Sequence, residues 1–395
     1  MKILFTHRYY WPDTPPYALM LRELTKAMVD AGHEVFVYAS RPSYRPGAKR
    51  DVAAKVVERG ASIRRGSVFG SESSNVLIRI LNVIMYCSGL FVTILRIRPD
   101  AVTAATYPPV LASWVASLAC RIIGARFIYH MQDIHPEVSQ YSGGFLGKGI
   151  ANKILHKLDN QTLRRSSVVV VLSEDMAATV RARGVDIKDI QIINNPSVSN
   201  ADGDETPPLE FRKQTGITRV IFAGNLGRFQ NLMVLTKGVA GCFEEFPSLE
   251  LVFLGDGNVK PKLMERWGSH SQVKFFPFLP FTQAKVLIEE ADIGLVSLQE
   301  NIYKVSFPSK FTTYVRLGLP LLVLVEAKSI LAKTTESNGL GVVPDEMTDL
   351  SITTALKKLI NGKLSSADPS NWYESNCSLS ANQNAWLDLF KSIGG

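Results

Sequence analysis

The residues best suited to chemistry lie in one stretch, Phe307-Pro308-Ser309-Lys310-Phe311-Thr312-Thr313-Tyr314-Val315-Arg316-Leu317-Gly318-Leu319-Pro320, followed by the apolar run 321–325. The spacing predicts a short helix capped by Ser309, with Lys310 in its first turn, stopped at Gly318-Leu319-Pro320 and followed by a buried strand. Amides at a helix N-terminus are free donors carrying partial positive charge, and a lysine beside them adds a full charge. Such an element suits a phosphate. An ordinary strand–helix–strand unit with a surface lysine reads the same way, so its company elsewhere in the chain decides.

Ala223-Gly224-Asn225-Leu226-Gly227-Arg228 reads as a strand end and a turn. Its two glycines let the backbone approach a ligand, and Arg228 can reach a phosphate. Leu254-Gly255-Asp256-Gly257 repeats the idea at the next strand end, with a plain tight turn as the equal alternative. In the first half, Tyr129-His130-Met131-Gln132-Asp133-Ile134-His135-Pro136-Glu137 leaves a strand end. Asp133, His135 and Glu137 are groups that can take a proton from a hydroxyl, Asp133 foremost. The alternative is that Asp133 and Pro136 only shape a helix start. Ser173-Glu174-Asp175 is explained by capping alone.

Several chemistries are argued against. No Gly-x-Gly-x-x-Gly follows the first strand, where Thr14-Pro15-Pro16-Tyr17 stands, and no Walker lysine loop occurs. A nicotinamide dehydrogenase is therefore disfavoured. There is no Gly-x-Ser-x-Gly, and the six histidines show no metal-ligand spacing.

These residues need strand ends to hold them. Short apolar runs at 2–6, 34–39, within 57–66, 100–106, 126–130 and 167–173 alternate with helical patterns at about 16–31, 75–97, 109–123, 148–165 and 174–183. Strands at 219–223, 249–254, 273–277, 293–298, 321–325 and 341–344 repeat the plan. Continuous Val/Ile/Leu strands separated by helices imply parallel sheets covered on both faces. At 395 residues, two α/β domains are expected, at 1–195 and 209–375, joined by the polar, proline-bearing segment 197–208. A last helix within 376–395 has no strand after it and could pack back on the first domain. Two doubly wound domains facing a central cleft would direct their strand ends towards a shared ligand.

A net charge of +8 suggests an anionic partner: a nucleotide, a lipid surface or nucleic acid. The basic loop Arg41, Arg45, Lys49, Arg50 lacks any surrounding nucleic-acid motif, which discounts the last. The separated cysteines Cys87, Cys120, Cys242 and Cys377 read as buried free thiols of a reducing cytosol. The apolar run 2–6 is too short for a signal peptide. Residues 76–98 are the most hydrophobic stretch, cut by Arg79 and Asn82 and flanked by Arg96 and Arg98. An interfacial helix with basic anchors and a buried core helix are equally open readings.

The ordered set Gly224-Asn225-x-Gly227-x-x-Gln230, Gly255-Asp256-Gly257, Ala291-Asp292 and Pro308-Ser309-Lys310 to Gly318-x-Pro320 resembles the family 4 glycosyltransferases. The likeness is to the branch making bacterial surface polysaccharides. Ala31-Gly32-His33-Glu34-Val35, Tyr107-Pro108-Pro109, Asp133-x-x-Pro136-Glu137 and Asn194-Asn195-Pro196 extend it over nearly the whole chain. The resemblance implies a GT-B architecture, with the acceptor on the first Rossmann-like domain and a nucleotide sugar, a UDP-sugar, on the second. It implies retaining transfer with no bound metal and no further cofactor. Gly224, Asn225, Gly227, Arg228, Gly255, Ser309, Lys310 and Thr313 would then surround the donor. Tyr10, Trp11 and Tyr107 would stand on the acceptor side. The acceptor would be a sugar on polyprenyl diphosphate or an oligosaccharide, met at the cytoplasmic face of the inner membrane.

Two departures stand out. The family's Glu-x7-Glu pair falls here at Val305 and Thr313, neither acidic, with Glu300 and Glu326 the nearest acids that could stand in. The glycine-rich loop after the first strand is replaced by Pro15-Pro16. Two other functions therefore stay open: a scaffold that binds a nucleotide sugar or partner subunit without turnover, and a sugar-nucleotide epimerase of related fold.

Overall fold

Valine- and alanine-rich strands with no polar face force helices onto both sides of the sheet, and the first half of the chain follows that rule. The computed structural model describes the chain except residues 14, 43–52, 68–75, 107, 142–146, 148, 199–205, 363–368 and 395. It divides into two units: Met1–Val198, Val305–Phe307 and Leu379–Gly395 form one, and Ser199–Lys304 with Pro308–Ser378 the other.

The first unit runs β1 (Lys2–Thr6), α1 (Pro16–Asp30), β2 (Glu34–Ser40), β3 (Lys55–Glu58), β4 (Ala61–Gly66), α2 (Val76–Ile97), β5 (Ala101–Ala105) and α3 (Leu111–Ile123). It continues with β6 (Arg126–His130), α4 (Glu137–Tyr141), α5 (Gly149–Arg165), β7 (Val168–Val171), α6 (Glu174–Arg181) and β8 (Ile190–Ile192). Its sheet has the order β3-β4-β2-β1-β5-β6-β7-β8, parallel except for the β3–β4 hairpin. The one strand expected within 57–66 is β4, and β3 before it was not expected. The chain turns between them at Arg59-Gly60, both at positive φ, as a two-residue hairpin turn requires.

In the second unit, β9 (Thr218–Ala223), α7 (Leu232–Ala240), β10 (Leu249–Leu254), α8 (Lys260–Trp267), β11 (Val273–Phe276), α9 (Phe281–Glu289) and β12 (Ile293–Ser297) come first. Then follow α10 (Ser309–Arg316), β13 (Leu321–Leu324), α11 (Ile330–Ser337), β14 (Gly341–Val342), α12 (Asp349–Ile360) and α13 (Pro369–Asn376). The sheet is parallel, in the order β11-β10-β9-β12-β13-β14. Its core joins Val220, Phe222, Leu251 and Phe253 of the strands to Leu235 and Val239 of α7 and Leu356 of α12.

The terminal helix α14 (Leu379–Gly394) belongs to the first unit. Its Trp386 and Phe390 are fully buried, and Phe390 meets Phe5 edge-on at 5.8 Å. Val37 and Ala39 point into this core with α1 and α14, whereas the intervening Tyr38 donates its hydroxyl proton to the Tyr86 carbonyl of α2. Alternation along β2 therefore puts α2 on the opposite face, and α3 lies beside both α2 and α5.

Of the two readings left open for residues 76–98, the C-terminal half of α2 is a core helix. Tyr86, Cys87, Leu90, Ile94 and Ile97 are buried. By length and composition α2 could also cross a membrane. All four cysteines are free, buried thiols.

Candidate functional site

Parallel strands end together, so the loops after β9, β10, β12 and β13 share one rim of the second sheet. The helix carrying Lys310 is pinned to that sheet by Tyr314. The Tyr314 hydroxyl accepts the Ala223 amide at 2.7 Å, and Gly294 leaves room for the ring. Pro308, not Ser309, occupies the capping position, because Ser309 already has helical geometry as the first residue of α10. Ser309 is exposed, and its hydroxyl makes no hydrogen bond among the described residues.

Gly224 has φ +112°, and Gly255 beside it has φ +142°. A Cβ on Gly255 would lie 2.1 Å from the Gly224 carbonyl oxygen, so the two turns touch backbone to backbone. Lys310 covers this junction. Its Nζ lies 3.4 Å from where a Gly224 Cβ would stand and 4.6 Å from the centre of the Phe222 ring. No carboxylate pairs with it among the described residues, and loss of water pushes its pKa down from 10.5 to about 8. A desolvated, unpaired ammonium against bare glycine backbone has the chemistry to hold an anion.

The rest of the loop is held by its own contacts. The Gly227 amide donates to Gln230 Oε1 at 2.9 Å, and the Asn225 side-chain amide folds over Gly227. Arg228 is exposed and has no ion-pair partner among the described residues. Thr313 is different: its hydroxyl donates to the Ser309 carbonyl of its own helix at 3.1 Å. Val305 is buried, and its carbonyl accepts the Ile134 amide. Glu300 is exposed. Glu326 accepts the Asn301 amide on Oε1 at 2.7 Å, while its enclosed Oε2 has no hydrogen-bond partner. Sequence reading missed Lys260, whose Nζ donates to the Gly255 carbonyl at 2.9 Å and ties down the end of β10.

In the first unit, Asp133 follows β6 and forms an isolated bridge with Ser306. Its carboxylate has no partner among the described residues, so it does not cap the helix that starts at Glu137. His135 is partly buried, and burial holds its imidazole below the ordinary value against the pull of Asp133. It is therefore neutral near pH 7 and able to accept a proton.

Glu137 must be corrected. Both its oxygens are held by Arg183, at 2.8 Å from Nε and 2.6 Å from Nη2, so it is not a free base. Arg183 also donates to Asp159 at 2.5 Å and to the His135 carbonyl at 2.8 Å, and Tyr129 donates to Asp159 at 2.6 Å. Burial opposes the charge on Arg183, but Asp159 and Glu137 outweigh it and hold the guanidinium protonated. The network fixes the backbone that carries Asp133 and His135.

Tyr10 is the second correction. It is fully buried, with its hydroxyl between Thr25 Oγ1 at 2.9 Å and Glu58 Oε2 at 3.3 Å, and does not face an acceptor. Trp11 is partly buried under the Arg22 guanidinium, 4.0 Å from its ring centre. Tyr107 lies outside the described residues, as do Arg45, Lys49 and Arg50. A further cluster had no sequence signal: Tyr17 bonds His130 Nδ1 at 3.0 Å, and Gln132 bonds His130 Nε2 at 2.7 Å. Burial drives His130 down to about 3 and His7, edge-on to Tyr17, to about 4, so both rings are neutral.

Two Rossmann-like units, each built on a largely parallel sheet, make up the GT-B fold. Residues 17–196 match the family described as glycosyl transferase 4-like domain. WcaI of Escherichia coli K12, named for colanic acid biosynthesis glycosyl transfer, is 23% identical over 364 residues, covering 85% of this chain and 86% of WcaI. WbjE of Pseudomonas aeruginosa, named as a glycosyltransferase, is 23% identical over 252 residues, 62% of each chain. Among solved structures, Anabaena HepE, in complex with UDP and glucose, superposes with TM-score 0.68 at 18% identity, covering 99% of this chain and 100% of HepE. Residues 17–196 are thus similar to glycosyl transferase 4-like domains, and the chain as a whole is similar to enzymes named for glycosyl transfer, one of them in colanic acid biosynthesis.

Proposed function

We propose that the chain is a retaining, metal-independent glycosyltransferase. It moves a sugar from a UDP-sugar to a lipid-linked or oligosaccharide acceptor in bacterial surface polysaccharide synthesis, working at the cytoplasmic membrane face. The observation that carries this reading is the unpaired ammonium of Lys310 over Gly224. The solved complex of HepE with UDP and glucose supports the choice of nucleotide. On this reading the second unit binds the diphosphate through Lys310, Ser309 and Arg228, beside the Gly224-Asn225-Leu226-Gly227 turn. As the bond from the anomeric carbon to the diphosphate oxygen breaks, the leaving charge stays on that oxygen, which these donors stabilise. The anomeric carbon bonds the acceptor oxygen instead, and the proton of that oxygen passes to Asp133.

A second reading, a scaffold that binds nucleotide sugar without turnover, has one observation in its favour. Both positions of the acidic pair lack a carboxylate, and the Thr313 hydroxyl is engaged by its own helix. Product analysis with UDP-sugars, with and without a polyprenyl-diphosphate-linked sugar, separates the readings. Transfer that needs the acceptor, and that falls in Asp133→Asn while UDP still binds, supports the proposal. UDP binding with no product gives the scaffold, and donor conversion without acceptor gives an epimerase. Normal transfer by Asp133→Asn removes that residue's role.

A further inference from the structure

The helices α2, α3 and α5 lie side by side in the first unit and return the chain from the carboxyl rim of its sheet to the opposite end. Their lengths do not match the strands they cover. Helix α2 has 22 residues, about 33 Å at 1.5 Å per residue. Strand β5 has five, about 17 Å. The C-terminal end of α2 is fixed near the start of β1, where the Asp100 amide donates to the Lys2 carbonyl, so the excess length overhangs at the rim. There Leu77, Ile80, Leu81 and Ile84 are bare, Leu77 at 74%. Helix α5 presents Ile150 at 77% and Ile154 at the same end. Six of the exposed large apolar side chains thus gather at two helix ends beyond one rim, the rim that also carries Asp133.

Within these three helices the exposed charge has one sign. Helices α2, α3 and α5 carry seven lysines and arginines and a single acid, Asp159, which is buried against Arg183. Of the cations, Arg96, Arg121, Arg164 and Arg165 lie in the last turns, away from the rim, and Arg79, Lys153 and Lys157 lie nearer to it. Arg79, Lys153 and Lys157, interleaved with the bare isoleucines, are exposed and have no ion-pair partner among the described residues. Apolar side chains ringed by unpaired cations match the acyl and headgroup layers of an anionic bilayer. A second copy of the chain would bring the same cations face to face.

We infer that the rim ends of α2 and α5 dock the first unit on an anionic lipid surface, with Leu77, Ile80, Ile84, Ile150 and Ile154 entering the interface and Arg79, Lys153 and Lys157 on the headgroups. This rests on the membrane-side reading of the proposed function and names its contact. It differs from a single helix lying flat, because the C-terminal half of α2 is already core and α5 supplies half the anchor.

The test is flotation of the full chain with vesicles of phosphatidylcholine alone and with added phosphatidylglycerol. Wild type floats with the anionic vesicles only. The double variant Ile150→Asp/Ile154→Asp, at exposed positions, partitions at least roughly tenfold less, and Lys153→Glu/Lys157→Glu is likewise weakened. No flotation with anionic vesicles overturns the inference, and equal flotation with neutral ones removes the charge argument. Sedimentation showing a wild-type dimer that Ile150→Asp/Ile154→Asp turns into a monomer assigns the face to a second copy instead. Urea unfolding of every variant reports folding, and UDP titration reports the second unit. If vesicles bind but UDP does not, the transferase reading fails and the docking stands.

Discussion

Replacing Lys310 by Met should make the protein more stable and its nucleotide binding much weaker. Those two signs together separate an anion site from a structural lysine. A structural lysine has a carboxylate partner, and removing it strands the partner. Lys310 has none among the described residues, and its pKa falls from 10.5 to about 8 for lack of water alone. That fall corresponds to roughly 3 kcal/mol by which the site disfavours the charge, or about 2 kcal/mol once its part-open position is allowed for. The methionine keeps the packing on Phe222 and Gly224, so most of that cost is relieved at pH 7. The sign with pH follows from proton counting. Between about 8 and 10.5 the unfolded chain holds the lysine proton and the folded chain does not, so wild-type stability rises with pH there. The advantage of Lys310→Met should therefore be greatest below pH 8 and vanish towards pH 10.5.

A nucleoside diphosphate reverses the balance. A phosphate oxygen about 4 Å from the ammonium gains about 4 kcal/mol at an effective dielectric of 20, partly offset by its own desolvation. A net loss of 1.5–3 kcal/mol, roughly 10- to 100-fold in Kd, is the estimate for removing a charged hydrogen bond. Calorimetric titration of wild type and Lys310→Met with UDP, paired with urea unfolding at pH 7 and pH 10, reads all three quantities. Binding also returns the proton, so above pH 8 the wild type should take up a proton on binding UDP, visible as a dependence of the heat on buffer. A variant that is less stable at pH 7, or that binds UDP unchanged, refutes the assignment of Lys310 to the diphosphate.

Two further changes test the first unit. Arg183→Met should cost about 3–5 kcal/mol in urea unfolding, because it leaves Asp159 and Glu137 charged and unpaired in a buried site, whereas Asp133→Asn should leave stability unchanged. Tyr10→Phe should cost about 1 kcal/mol through loss of its bonds to Thr25 and Glu58 and leave the acceptor KM untouched; a raised KM would restore Tyr10 to the acceptor side.

The fold was legible because its pattern is local. Every strand of the second sheet is a short apolar run, and every long helix announces itself by period. What escaped was short or decided from afar. Helix α4 has five residues and β8 three, too few to show a period. The β3–β4 hairpin turns on Arg59-Gly60, where arginine replaces the usual asparagine. Site residues divide in the same way. Gly224, Gly255 and Lys310 could be read because strand-end turns and a helix start are sequence-local features. Glu137 could not, since its fate is set by Arg183, 46 positions away, and Tyr10 is taken into the core by Thr25 and Glu58.

The missing acids bear on what the donor site can select. With Val305 buried and Thr313 bonded to its own helix, no carboxylate at those two positions is offered to a sugar or ribose hydroxyl. The acid at the end of β13, Glu326, has one oxygen fixed by Asn301 and the other enclosed. The groups left without a partner among the described residues are the Lys310 ammonium, the exposed Arg228 guanidinium and the Ser309 hydroxyl, and all of these can donate to oxygen. On the proposed reading, a site built this way would recognise the diphosphate strongly, because its charge would offset the desolvation of Lys310. It has little with which to grade one hexose against another. Selection of the sugar must then come from residues beyond this cluster, and binding measured on UDP alone should already contain most of the affinity for the full donor.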